Sequence, residues 1–301
     1  MKKILILSVL LQALTLSAFA QDWAELARYQ EANQALLAGE EDPSRVVFMG
    51  NSIFERWEST CPEFFAGSYV CRGISGQTTP QMLIRFKQDV VHLNPSVVVI
   101  LGGTNDIAGN TGPSTLEMIE DNLSSMAEIA TANGIRVVMC QLLPAYSYGW
   151  APDVDPRQDI IDLNQWIKEY ADAHGYPCVD FYTPMVNPFK ALKVEYSVGD
   201  GVHPNEAGYA VMAPLVEAAI EQAMAGSSIA TQTADDPDIE VWGGKSVIHV
   251  KTQAADHLSI YTPDGVCVAE YDLPAGISNL NMAPGTYLVK SLKSTRKIQV
   301  R

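Results

Sequence analysis

The chain has 301 residues, 47% of them hydrophobic, and carries 20 Lys and Arg against 35 Asp and Glu, a formal net charge of −15. Such a field repels phosphate backbones and anionic bilayers, so neither nucleic acid nor an acidic membrane surface is expected as a partner. The length is enough for a large buried core and for more than one domain.

Residues 1–20 read as a signal peptide: Lys2-Lys3, an apolar run from Ile4 to Leu16, then small residues at Ala18 and Ala20 around Phe19. Export follows, to the periplasm, the cell surface or the medium. Removing Lys2 and Lys3 leaves 18 basic against 35 acidic residues, a net −17. No later segment approaches about 20 consecutive apolar residues, so no membrane span is expected. Five cysteines remain: Cys61, Cys71, Cys140, Cys178 and Cys267. An oxidising compartment permits Cys61 and Cys71 to pair across a short loop, but an odd count leaves at least one thiol outside any intrachain bridge. Cys140 and Cys178 sit in apolar runs and read as buried hydrophobes. No Cys-x-x-Cys spacing supports zinc, and no metal or cofactor is expected.

The first element is a helix over 22–37, from the spacing of Trp23, Leu26, Tyr29, Ala32 and Leu36, stopped by Gly39. Val46-Val47-Phe48-Met49 is a strand buried on both faces, ending at Gly50-Asn51-Ser52. Alone, Asn51-Ser52 reads as a cap on the next helix. Tyr69-Val70-Cys71 is a second strand, running through a turn containing Gly73 and Gly76 into a helix from Pro80 to Val91. Ser96 to Leu101 is a third strand, ending in Gly102-Gly103-Thr104-Asn105-Asp106. A helix over 114–132 stops at Asn133-Gly134. Ile135 to Leu143 is a fourth strand, and the loop after it carries Tyr146, Tyr148 and Trp150. A helix over 157–174, a fifth strand over 178–181 and a helix ending near Ala225 complete the alternation. Strand and helix in turn predict an α/β domain: a five-stranded parallel sheet with helices on both faces, in the flavodoxin-like doubly wound order.

Composition changes after Gly226. Residues 227–238 are small and polar and read as a linker. Beyond them six β-rich runs, 239–242, 247–252, 258–261, 266–271, 286–291 and 297–300, alternate with turn signals at Gly243-Gly244, Asp264-Gly265 and Pro284-Gly285. They predict a small all-β sandwich over 239–301.

Four strand ends bring polar groups to one edge of the parallel sheet: Ser52, the turn at Gly76, Asn105, and Asp200 with His203. Acyl transfer requires a nucleophile, a base, a group that orients the base, and donors for the developing oxyanion. A serine hydroxyl is a weak nucleophile until an imidazole takes its proton, and His203 is the best placed histidine. Asp200, three residues earlier, is within reach of that imidazole. The Ser52 and Gly76 backbone N–H groups and the Asn105 amide are the donor candidates, glycine allowing close backbone approach. Trp57, Tyr146, Tyr148 and Trp150 are candidates to line an acyl or sugar pocket, packing being the simpler role for Trp57; Arg72 and Gln77 flank the oxyanion turn as candidate readers of substrate polarity.

Gly50-Asn51-Ser52, Gly76, Gly103-Thr104-Asn105-Asp106 and Asp200-Gly201-Val202-His203 resemble, in order, the four motif blocks of the SGNH or GDSL-type hydrolases. The likeness spans about residues 44 to 225 and makes 21–226 a hydrolase domain. It implies Ser52 as nucleophile, Gly76 and Asn105 with Ser52 as oxyanion donors, His203 as base and Asp200 as its orienting acid. Asn51 departs from the family's usual aspartate. The C-terminal module resembles the sorting domains of type IX secretion in Bacteroidetes, which implies contact with export machinery; a carbohydrate-binding or spacer module is the alternative. The expectation is an exported serine esterase acting through an acyl-enzyme on a small-molecule or glycan ester, with acetyl groups on carbohydrate preferred. Alternatives are a phospholipid or lysophospholipid acylhydrolase, and a glycan-binding protein on an inactive hydrolase scaffold.

Overall fold

The computed structural model describes residues 22–39, 42–225, 239–262, 266–291 and 295–300. The expected signal peptide, linker and Asp264-Gly265 turn lie outside them. The chain forms two compact units, residues 1–220 and 221–301.

Five short parallel strands centre the first unit: β1 (Val46–Gly50), β2 (Tyr69–Gly73), β3 (Val97–Leu101), β4 (Arg136–Cys140) and β5 (Cys178–Val179). Their order is β2-β1-β3-β4-β5, the flavodoxin-like order expected from the alternation. Gly50 at the end of β1 pairs with Gly73 of β2 and Leu101 of β3, so the three strands end level. β1 leads to β2 on one side, and β3 lies on the other. The order therefore reverses at β1 and β3, and the crevice beyond their carboxyl ends is where such sheets hold ligands.

All five residues of β1 and of β3 are buried, as strands covered on both faces must be. Val47 and Met49 point to one face, with Met82, Phe86, Leu123 and Leu163 in the same core. Phe48 points to the other, meeting Phe54, Trp57 and Phe65 edge-on at centroid distances of 5.3, 6.3 and 5.2 Å.

The helices are α1 (Gln30–Ala38), α2 (Ser52–Thr60), α3 (Thr79–Asp89), α4 (Thr104–Ile107), α5 (Leu116–Ala132), α6 (Arg157–His174), α7 (Tyr182–Met185) and α8 (Glu206–Ala225). Two expectations are corrected. The helix placed over 22–37 begins only at Gln30: Asp22 accepts from the N–H groups of Leu26 and Ala27, and Glu25 sits at φ 55°, outside the helical region. The fifth strand pairs over two residues rather than four, because Asp180 accepts from Thr183 N–H at 2.8 Å and turns the chain into α7.

Among the described residues the second unit holds seven antiparallel strands, β6 (Ile239–Gly243), β7 (Val247–Thr252), β8 (Asp256–Tyr261), β9 (Cys267–Leu273), β10 (Gly276–Asn281), β11 (Gly285–Lys290) and β12 (Thr295–Val300). They form sheets ordered β10-β7-β6 and β12-β11-β8-β9 around one core, which includes Ile248, Val250, Leu258, Ile260 and Val289. Strand β10 was not expected. It buries Leu280 but leaves Ile277 66% exposed, so its pairing with β7 rests on backbone hydrogen bonds rather than on an apolar run.

Candidate active site

Ser52 is the first residue of α2, directly after β1. Asn51 is the cap: its Oδ1 accepts from Ile53 N–H at 3.0 Å. An aspartate oxygen would accept the same bond, so the departure at Asn51 leaves the turn intact. Capping and presentation of Ser52 are thus compatible, and the cap is what starts the helix on which Ser52 stands. Close approach makes the next demand. A Cβ on Gly73 would lie 2.5 Å from Glu55 N and 2.6 Å from Asn51 O, so only glycine lets β2 run past the start of α2.

His203 reaches the site from the loop before α8. Its Nε2 lies 2.8 Å from Ser52 Oγ and its Nδ1 lies 2.7 Å from Asp200 Oδ2. The other Asp200 oxygen accepts from the backbone N–H groups of Val202 and His203 at 3.0 and 2.9 Å. Burial acts to raise the Asp200 carboxyl, but the bonds from His203 and Val202 outweigh it and hold the group below its ordinary value. An ionised Asp200 keeps a proton on Nδ1, leaving Nε2 a lone pair aimed at the Ser52 hydroxyl. Ser197 Oγ accepts from Gly199 and Gly201 N–H, which fixes the loop that carries the pair.

The donors converge on the same cavity, of about 220 Å³, lined by Ser52, Gly76, Asn105 and His203 together with Arg56, Asn110 and Trp150. Gly76 is at φ +78°, a conformation that side chains resist. Neither the Ser52 nor the Gly76 N–H has a hydrogen-bond partner among the described residues. Asn105 donates one amide hydrogen to Gln77 O at 2.8 Å, which fixes the group and leaves its second N–H unused. Ser52 also stands at the positive end of α2, where a developing oxyanion is favoured.

Two carboxylates bracket the oxyanion turn. Glu55 accepts from Ser75 N–H at 2.7 Å and from the Ser75 hydroxyl, and its other oxygen takes Arg28 at 2.9 Å. Asp106 accepts from Thr79 N–H and from its hydroxyl at 2.7 Å, pinning the start of α3. Beneath them the fully buried Arg85 donates to Gly50 O, Arg72 O and Gln77 Oε1 at 3.0, 2.8 and 2.6 Å. One guanidinium thus joins the ends of β1 and β2 to the oxyanion turn.

The aromatic candidates divide. Trp150 lines the cavity, stacked on Tyr148 at 5.0 Å and lying 6.4 Å from the His203 ring. Tyr148 is fully buried beneath it and offers no face to a substrate. Trp57 is 1% exposed, stacked between Phe64 and Tyr209 in the core, and is not a pocket residue. Tyr146 is exposed but lies under the Arg157 guanidinium at 4.3 Å, away from the cavity lining. Arg72 and Gln77 are both buried and bonded inward, to Asn33 and to Ala24 O, so neither reads substrate. Cys61 and Cys71 are unpaired in the structure. Arg56 and Asn110 were not singled out by sequence. Arg56 carried a signal, standing four residues after Ser52 on one helix face; Asn110 carried none.

A hydroxyl, an imidazole and a carboxylate in one hydrogen-bonded line at the switch point of a parallel sheet is the layout of a hydrolase. Residues 18–211 match the model of the GDSL-like Lipase/Acylhydrolase family, and the chain belongs to that family of esterases and acylhydrolases. An acetylxylan esterase of Xylanibacter ruminicola is 28% identical over 225 residues, covering 62% of this chain but 45% of that protein. The chain thus spans less than half the length of that curated relative. A protein assigned as an acylhydrolase from Bacteroides fragilis is 45% identical with a TM-score of 0.65, covering 67% of this chain and 99% of its own. A GDSL-like lipase from Bacteroides thetaiotaomicron gives 45% identity and a TM-score of 0.64, over 66% and 98%.

Proposed function

We propose that this protein is an exported serine esterase that removes short acyl groups, acetyl foremost, from carbohydrate. The carrying observation is the line Ser52 Oγ, His203 Nε2, His203 Nδ1, Asp200 Oδ2, with contacts of 2.8 and 2.7 Å, beside unpartnered N–H donors. Ser52 Oγ adds to the ester carbonyl as its proton passes to His203 Nε2, and the charge on the carbonyl oxygen is met by Ser52 N–H, Gly76 N–H and the Asn105 amide. The imidazolium then protonates the departing alkoxide, leaving the acyl group on Ser52. Water, deprotonated by the same imidazole, releases the acid.

A cavity of about 220 Å³ has room for a short acyl group. Trp150 supplies an apolar ring face for a sugar, and the match to an acetylxylan esterase supports the same substrate class. Ser52→Ala should abolish turnover of 4-nitrophenyl acetate, and a fluorophosphonate should label Ser52 alone in the wild-type protein. Undiminished turnover by Ser52→Ala, or a wild-type Ser52 inert to the reagent, overturns the assignment. Turnover that rises with acyl length through eight carbons would favour a lipid acylhydrolase instead.

A further inference from the structure

Arg56 is an exposed residue of the cavity lining that hydrolysis itself does not use. It stands one helical turn after Ser52 on α2, so both side chains leave the same face, and both line the cavity. Among the described side chains, the guanidinium groups of Arg28, Arg45, Arg72, Arg85, Arg136 and Arg157 each donate to a protein oxygen. Arg56 donates to none, in a chain with 35 carboxylates. Two carboxylates that hold the site together are engaged elsewhere. Both oxygens of Glu55 are taken by Arg28 and Ser75, and both of Asp200 by the His203 loop. Among the described residues no Asp or Glu lines the cavity, so the Arg56 guanidinium has no carboxylate partner there.

A guanidinium presents a planar fork that matches a carboxylate, and a charge-assisted bond of that kind is about twice as strong as a neutral one. The negative field of the whole chain does not oppose this at contact range, because it is screened beyond about 8 Å at physiological ionic strength. Trp150 adds a ring face to the lining, a surface on which a pyranose can stack.

We propose that Arg56 selects esters that carry a carboxylate, borne either by the sugar, as in an acetylated uronic acid, or by the acyl group, as in a succinyl ester. The inference rests on the esterase reading of the same cavity.

Two matched pairs test it in the purified full-length protein. The sugar pair is the acetate of methyl glucuronoside against that of methyl glucoside; the acyl pair is 4-nitrophenyl hemisuccinate against 4-nitrophenyl butyrate. The expected result is a preference of about tenfold in kcat/KM for the anionic member of one pair, which also identifies the bearer of the carboxylate. Arg56→Ala should bring that ratio to about one, and Arg56→Lys should recover part of it through KM. No anionic preference in either pair, or a preference that Arg56→Ala leaves intact, overturns the proposal. Binding gives a readout independent of turnover. Ser52→Ala should bind methyl glucuronoside or succinate more tightly than methyl glucoside or butyramide, and Arg56→Ala placed on it should remove the difference. Selective binding without turnover would sustain Arg56 while removing the esterase reading; equal binding of charged and neutral ligands would overturn Arg56 even in an active enzyme.

Discussion

Glu55 acts at one remove from the chemistry. It stands three residues after Ser52 on the same helix and holds Ser75 beside Gly76, so it sets the distance between two of the three donor candidates. Burial acts to raise its carboxyl, but Ser75 and Arg28 outweigh burial and hold it below its ordinary value. A depressed carboxyl contributes stability that is present above its unfolded value, about 4.3, and lost as pH falls through the folded one. Glu55→Gln should therefore melt below the wild type at pH 7, with the two melting temperatures converging below about pH 4. Parallel melting curves across that window would show that Glu55 is not engaged as described. Asn51 illustrates the converse at the same scale: a residue that departs from the family pattern yet makes the cap bond that an aspartate would make.

Between residues and fold stands the loop that carries Asn110, linking the oxyanion turn to the aromatic wall. Asn110 Nδ2 donates to Gly76 O at 3.0 Å, its Oδ1 accepts from Trp150 Nε1 at 2.9 Å, and its backbone N–H donates to Asn105 O at 3.0 Å. One side chain thus steadies both Gly76 and the ring that lines the cavity, while its backbone steadies Asn105. Donors must be in place before charge develops, and removing one oxyanion donor outright typically costs 10² to 10³ in kcat, roughly. Loosening them should cost less. Asn110→Ala is expected to lower kcat for 4-nitrophenyl acetate by about tenfold with a smaller change in KM. Trp150→Phe, which keeps a ring but loses the N–H, should reproduce part of that fall. A normal kcat in both variants would mean the turn is held without Asn110, by Glu55, Asp106 and Arg85.

At the scale of the molecule, every residue assigned to the site lies in the first unit, residues 1–220. The two solved relatives, matched over 99% and 98% of their own chains, correspond to only about two thirds of this one. Those proportions motivate the expectation that the hydrolase unit folds without the β module. A chain ending after Ala225 should fold and turn over 4-nitrophenyl acetate within about twofold of the full protein, since domains of this size fold alone. Loss of folding on truncation would instead make the β module part of the hydrolase core. A role of the module in export, proposed from its turn and strand pattern, is tested by locating the full and truncated chains in secreting cells.

Apolar runs three to nine residues long, most of them ended by glycine or a polar cluster, were enough to specify a parallel α/β sheet, because a strand covered on both faces must be largely apolar. Motif spacing likewise brought Ser52, Gly76, Asn105, Asp200 and His203 to one edge. Periodicity failed where side-chain bonds overrode it, as at Asp22 with Glu25 and at Asp180, and where backbone pairing made a strand without an apolar run, as in β10. Packing was the simpler sequence reading for Trp57, but which of Tyr146, Tyr148 and Trp150 faced the cavity was beyond sequence, since all three are amphipathic aromatics in one loop and differ in what covers them. So too was the standing of Arg56. A helical spacing puts it on the face of Ser52, but only the folded chain shows that Glu55 and Asp200 are already taken, leaving its charge to the cavity.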